Sequence, residues 1–126
     1  MEALDRSVFA EATHADYVWR LVGQYSRSGR FEGRDNIRHD LLRPLFNLFE
    51  TEYMARAINL VAEGDFVVAE VKGDVVTKRG ARYDNDYCLL FRFRDGKIAE
   101  VTEYCDSDLI ELVLGPYEDA IAVVKR

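Results

Sequence analysis

Four extended segments in the second half of the chain, residues 52–62, 66–78, 83–94 and 97–106, alternate apolar and polar side chains, and this period of two constrains the fold more than any other feature. Glu63-Gly64-Asp65, Lys78–Arg82 and Arg94-Asp95-Gly96-Lys97 separate them with hairpin chemistry, so the spacing predicts an antiparallel meander. The first half has a different rhythm. Met1–Ala15 sets Leu4, Val8, Phe9 and Ala12 at near-helical spacing, Tyr17–Val22 is rich in strand formers and closes at Gly23, and residues 24–33 read as a loop. From Asp35, a possible cap, Ile37, Leu41, Leu42, Leu45, Phe46 and Phe49 recur at helical spacing, with Pro44 placed to kink the pattern. Ser107 reads as the N-cap of a closing helix ended by Gly115-Pro116, and Ala120–Val124 adds a terminal turn or helix. Helices, then a sheet, then a helical tail predict one α+β domain over residues 1–126.

Charge narrows the partners. Seventeen Lys+Arg against 23 Asp+Glu give a net charge of −6, a field that opposes nucleic acid and anionic lipid. Apolar runs stop short of the roughly 18 residues that span a bilayer, and no basic segment followed by an apolar one opens the chain, so a cytoplasmic protein is expected. Cys88 and Cys105 lack the Cys-x-x-Cys spacing of redox or zinc sites and read as buried thiols. His14 and His39 stand at no metal-ligand spacing, and neither a Gly-rich phosphate loop nor a nucleophile–histidine pairing is visible. No metal and no cofactor are therefore expected.

A two-residue turn at Asp95-Gly96 sets Arg94 opposite Lys97, which carries Asn85 to Asp106 and Tyr87 to Tyr104. An even loop within Lys78–Arg82 would bring Asp74 opposite Tyr87 and Lys72 opposite Leu89. One face then displays Lys72, Asp74, Asn85, Tyr87, Tyr104 and Asp106, and the other Val67, Ala69, Val71, Val75, Cys88, Leu90, Val101 and Cys105. A flat apolar back calls for a cover, most economically a second copy, so a homodimer is expected through the face carrying Val71, Val75, Leu90 and Val101. The same register makes Cys88 and Cys105 a diagonal pair at roughly 7–8 Å, beyond disulfide reach.

Trp19-Arg20-Leu21-Val22-Gly23, Phe31-Glu32-Gly33-Arg34, Ala62-Glu63-Gly64-Asp65, Tyr83-Asp84-Asn85-Asp86-Tyr87, Asp95-Gly96-Lys97-Ile98 and Glu103-Tyr104-Cys105-Asp106 follow one another in an order that resembles the SnoaL-like, ketosteroid isomerase-like branch of the nuclear transport factor 2 superfamily, over about residues 8–115. The resemblance implies a cone: a curved antiparallel sheet wrapped around N-terminal helices, with a small-molecule pocket and a dimer. It also implies a longer lidding helix than the roughly fifteen residues before the first strand would build. Members include isomerases, polyketide cyclases, dehydratases and epoxide hydrolases, so the likeness fixes no single activity.

The isomerase base position falls on Arg20 and the acid position on Leu89, which does not carry that chemistry over. Lys72, Asp74 and Asp106 resemble the Asp–Arg–Asp trio of limonene-type epoxide hydrolases, with Lys in place of Arg and the water-holding Tyr and Asn replaced near Trp19 and Leu21. Asp106 or Asp74 could equally serve as a cyclase-type base. Asp106 and Asp74 are thus the candidate proton carriers and Lys72 their electrostatic partner, with Asn85, Tyr87, Tyr104, Trp19 and Tyr83 as ligand-binding candidates. Bland readings stand beside these. Asp106 can cap the following helix, Lys72 and Asp74 can form a solvated ion pair, Asn85 can satisfy a buried hydrogen bond, and the aromatics can be core. The expected function is acid–base chemistry on a hydrophobic, oxygenated small molecule; the alternative is a non-catalytic binding protein.

Overall fold

The computed structural model describes residues 2–3 and 11–124. Its strands are β1 (Glu2–Ala3), β2 (Thr13–Leu21), β3 (Gly29–Glu32), β4 (Met54–Glu63), β5 (Phe66–Asp74), β6 (Asp86–Arg94) and β7 (Lys97–Cys105). They form one sheet in the order β1-β4-β5-β6-β7-β2-β3, in which β2 runs parallel to β7 and all other neighbours are antiparallel. The α+β cone is thus present. The helix read over Met1–Ala15 falls largely outside the described residues; where the chain is described, Glu2–Ala3 pairs with β4, residues 11–12 are helical, and the next strand begins at Thr13 rather than Tyr17.

The concave side of the sheet is filled by helices. Between β3 and β4 run α1 (Arg34–Ile37), a π-helical segment (Arg38–Leu42) and α2 (Arg43–Phe46). Pro44 explains the widened turn. Proline has no N–H to offer the carbonyl four residues back and its ring crowds that oxygen. The Asp40 carbonyl instead accepts a 2.6 Å hydrogen bond from the Tyr117 hydroxyl, and the Arg43 N–H reaches back five residues to Arg38. Ile37 and Leu41 from this unit bury against Tyr17, Leu21, Ile98 and Val101. After β7, α3 (Ser107–Leu114) and α4 (Tyr117–Val124) close the cone, Ile110 and Leu114 packing on Phe49, Val75 and Tyr83. Tyr25 borders both clusters.

Two one-residue events set which side chains face inward. Asp95 and Gly96, with φ of 52° and 77°, form the expected two-residue turn, and Arg94 faces Lys97. A bulge then takes up Ala99: Phe93 pairs with Ile98 but Arg92 with Glu100, so Tyr87 meets Cys105 and Leu89 meets Glu103. At the other hairpin the Thr77 N–H donates to the Ala81 carbonyl, and Lys78, Arg79 and Gly80 form a three-residue loop with Gly80 at φ 84°. An odd loop reverses the parity that an even one would set. Val71 therefore meets Tyr87, and Lys72 meets Asp86.

These shifts correct several expectations. Lys72, Asp74 and Tyr104 do not share a face with Tyr87. Of the four residues expected on the dimer face, Val71, Val75 and Val101 point into the cone, Val75 and Val101 fully buried, and only Leu90 faces outward. Cys88 is exposed on the outer face and Cys105 half-buried on the inner one, so the sheet separates the two free thiols. Among the described residues no helix is long and apolar enough to cross a membrane.

Candidate active site

The inner face carries one cluster of chemistry. Leu89, Glu103 and Leu21 lie side by side on β6, β7 and β2, with Tyr87 and Cys105 paired in the next row. Glu103 is buried in this apolar setting, and desolvation of its carboxylate raises the pKa from 4.5 to about 7; hydrogen bonds from Cys105 and Trp19 pull the other way. The Cys105 thiol stands 3.6 Å from Glu103 Oε2, and the Tyr25 hydroxyl lies 3.9 Å from the same sulfur. Burial, then the charge of Glu103, pushes the Cys105 pKa up to about 12, so sulfur remains a protonated thiol rather than a nucleophile.

A phenol network adjoins this carboxyl. The Tyr87 hydroxyl donates to that of Tyr83 at 3.5 Å and exchanges a further hydrogen bond with Tyr53. Burial raises the pKa of Tyr53 to about 12 and those of Tyr25, Tyr83 and Tyr87 as well, so all four remain neutral hydroxyl groups at physiological pH. Gly73 makes room for them: a Cβ there would sit 2.8 Å from the Tyr53 hydroxyl oxygen. Trp19, Tyr53, Tyr87, Leu89, Phe91 and Cys105 are only partly buried although they face the interior.

The residues picked out from sequence divide into three groups. Trp19 and Tyr87 line the inner face beside Glu103; Tyr83 is buried at its edge, stacked on Phe49 at 6.1 Å. Asn85 and Asp106 join β6 to the β7–α3 corner. The Asn85 amide donates to the Tyr83 hydroxyl at 3.0 Å and the Asp106 carbonyl at 3.2 Å, and accepts from the Asp86 and Asp106 N–H groups at 2.8 and 3.2 Å. The Asp106 carboxylate caps α3 by accepting from the Leu109 N–H at 3.2 Å, which places the N-cap at Asp106 and not Ser107. Lys72, Asp74 and Tyr104 lie on the far side: Lys72 pairs with Asp86 at 3.2 Å, Asp74 pairs with Arg82, and Tyr104 is 48% exposed.

Glu103 was hidden by the bulge, since an unbroken strand alternation turns it outward. One signal existed: Ile98 and Val101 are both apolar at a spacing of three, which a regular strand cannot place on one face. Among the described residues, no group of three His, Cys, Asp or Glu side chains is placed to hold a metal.

The strands and helices thus build an α+β cone of curved sheet around helices, with a polar cluster on its inner face. The sequence profile of the SnoaL-like domain family matches residues 1–101, and the chain belongs to that family. Solved structures share the fold. A SnoaL-like polyketide cyclase candidate from Jannaschia sp. CCS1 is 19% identical over 87% of this chain and 78% of its own, with a TM-score of 0.71. An isomerase candidate from Bacillus subtilis is 20% identical over 88% and 81%, with a TM-score of 0.73. A nuclear transport factor 2-like protein from Burkholderia xenovorans LB400 is 17% identical over 82% and 79%, with a TM-score of 0.64. At these identities the likeness is one of fold. No protein with a curated description matches the sequence.

Proposed function

We propose that the protein is an acid–base catalyst of proton transfer at carbon, acting on a hydrophobic, carbonyl-bearing small molecule, with Glu103 as the proton carrier. The observation that carries this reading is a buried carboxyl with its pKa raised to about 7 by desolvation, set among neutral hydroxyl donors. At neutral pH a large fraction is carboxylate and can take a proton α to a carbonyl; electrons move onto the carbonyl oxygen, where a tyrosine O–H such as that of Tyr87 stabilises the enolate. Glu103, now protonated, returns the proton to the same carbon or to a conjugated one. This step suits isomerase and cyclase chemistry and consumes no cofactor. The family membership supports a pocket enzyme, and the Cys105 thiol, held protonated, argues against covalent catalysis.

The test is hydrogen–deuterium exchange at the α-carbon of bicyclic aryl ketones, 1-tetralone first, followed by NMR in D2O. Wild type should accelerate exchange, and Glu103→Gln should lose about 10²–10⁴-fold of that acceleration. Asp106→Asn, in which asparagine can still cap α3, should exchange within about twofold of wild type. No exchange with any ketone, or a loss that follows Asp106 and spares Glu103, overturns the assignment.

We further propose a homodimer across the outer sheet face. Val61, Val68 and Leu90 lie in one row there, flanked by Phe66 and Tyr104; Val61 is 65% exposed and Phe66 41%. A second copy brings the same patch and can cover it by two-fold symmetry. Sedimentation velocity should show a dimer for wild type and a monomer for Leu90→Glu; a monomeric wild type contradicts the proposal.

A further inference from the structure

β4 is an edge strand left open for most of its length. On one side it pairs with β5 from Met54 to Glu63. On the other, β1 pairs only with Met54 and Ala55, so among the described residues no strand lies beside residues 56–63 there. The backbone N–H and C=O groups that point that way are a template for another strand. The opposite edge of the sheet is defended: β3 is four residues long and carries Arg30 and Glu32, joined in an ion pair at 2.6 Å. Ala57–Ala62 of β4 holds neither charge nor proline, and Ile58 is 48% and Leu60 66% exposed.

What fits this edge follows from the bulge in it. Ile58 has no residue opposite, so the eight residues 56–63 face only the seven of β5 from Phe66 to Lys72, and Leu60, opposite Ala69, is their centre. Ala57, Leu60 and Ala62 lie on the inner face, and Arg56, Asn59, Val61 and Glu63 on the outer. An antiparallel strand of the same sequence, turned about a two-fold axis through Leu60, sets Leu60 beside its own copy, Ala57 beside Ala62, Asn59 beside Val61 and Arg56 beside Glu63, each pair on a shared face. Without the extra residue, Arg56 and Glu63 would fall on opposite faces and could not meet. Both are exposed, and neither has an ion-pair partner among the described residues, so each end of the paired strands gains a new cross-strand ion pair. We infer that β4 pairs with β4 of a second copy of the chain, antiparallel and centred on Leu60, which continues the sheet from one molecule into the next. The contact is independent of the chemistry of the inner face and leaves the outer face free for the dimer proposed above. A single strand buries less surface than a sheet face, so it forms at higher protein concentration.

Sedimentation velocity on Leu90→Glu, which removes the outer-face contact, tests this in a dilution series from millimolar to micromolar protein. The variant should pass from monomer to a discrete dimer as concentration rises. Arg56→Glu in that background sets like charges opposite each other at both ends of the pairing and should weaken the dimer by about tenfold or more; further addition of Glu63→Arg exchanges the charges and should restore it to within about threefold. Amide hydrogen exchange on the same samples should show protection gained within residues 56–63 as the dimer forms. The same series on wild type should take the outer-face dimer to larger species, which keeps the test open if Leu90→Glu does not fold. A Leu90→Glu protein that is monomeric at every concentration or grows beyond a dimer overturns the inference, as does association that ignores the Arg56→Glu reversal or is not restored by Glu63→Arg.

Discussion

Glu103→Gln is expected to flatten the dependence of folding stability on pH. In the unfolded chain this carboxyl titrates near 4.5 and in the folded protein near 7. Below pH 4.5 both states hold the proton and the residue has no pH-dependent effect. As pH rises from 4.5 to 7 the unfolded chain ionises first, so unfolding gains free energy; above pH 7 the folded carboxyl also ionises and the loss is complete. The shift corresponds to roughly 3 kcal/mol, a large part of the total stability of a domain this size. Urea denaturation of wild type and Glu103→Gln between pH 4 and 8.5 should show curves that diverge by about this amount, wild type falling relative to the variant. Other carboxyls titrate in both proteins and cancel in the difference. Parallel curves would mean that Glu103 is solvated. A protein that keeps such a group accepts lower stability at neutral pH where the proposed chemistry uses it.

Asn85→Ala should be the most damaging substitution of an uncharged residue. Asn85 is fully buried, and its amide serves the Tyr83 hydroxyl, the Asp106 carbonyl and two N–H groups, those of Asp86 and Asp106. Alanine leaves those groups without their partner and opens a small cavity, a combination that costs about 3–5 kcal/mol. The corner it ties is the one that starts α3 and positions Cys105, so the loss should bring a weaker exchange activity even in the folded fraction. Equilibrium unfolding in urea measures the first effect; a change under 1 kcal/mol would mean that the corner is held by other contacts.

Much of the fold was legible because its determinants are local. Asp95-Gly96 specifies a turn with two positive φ values, Gly115 with φ 75° ends α3, and the helical spacing of Ile37 and Leu41 is that of a core-facing stripe. Asn85 between tyrosines reads as a buried hydrogen-bonding residue, and it is one. The site was harder to read because a strand has only two faces and a single extra residue exchanges them. Ala99 as a bulge turns Glu103 inward and Tyr104 outward, and the three-residue loop at Lys78–Gly80 sends Lys72 and Asp74 to the outer side. Arg27 shows a different limit: a basic residue in a Ser- and Gly-containing loop reads as solvated, and only the tertiary packing of the α3–α4 corner buries it.

The central claim is that Glu103 is a desolvated carboxyl inside the cone. Its side-chain 13Cδ chemical shift, assigned by comparison with Glu103→Gln and followed from pH 3 to 9, tests this directly. The account predicts an inflection near pH 7. An inflection at the ordinary glutamate value near 4.5 would contradict it and withdraw Glu103 from the proposed mechanism.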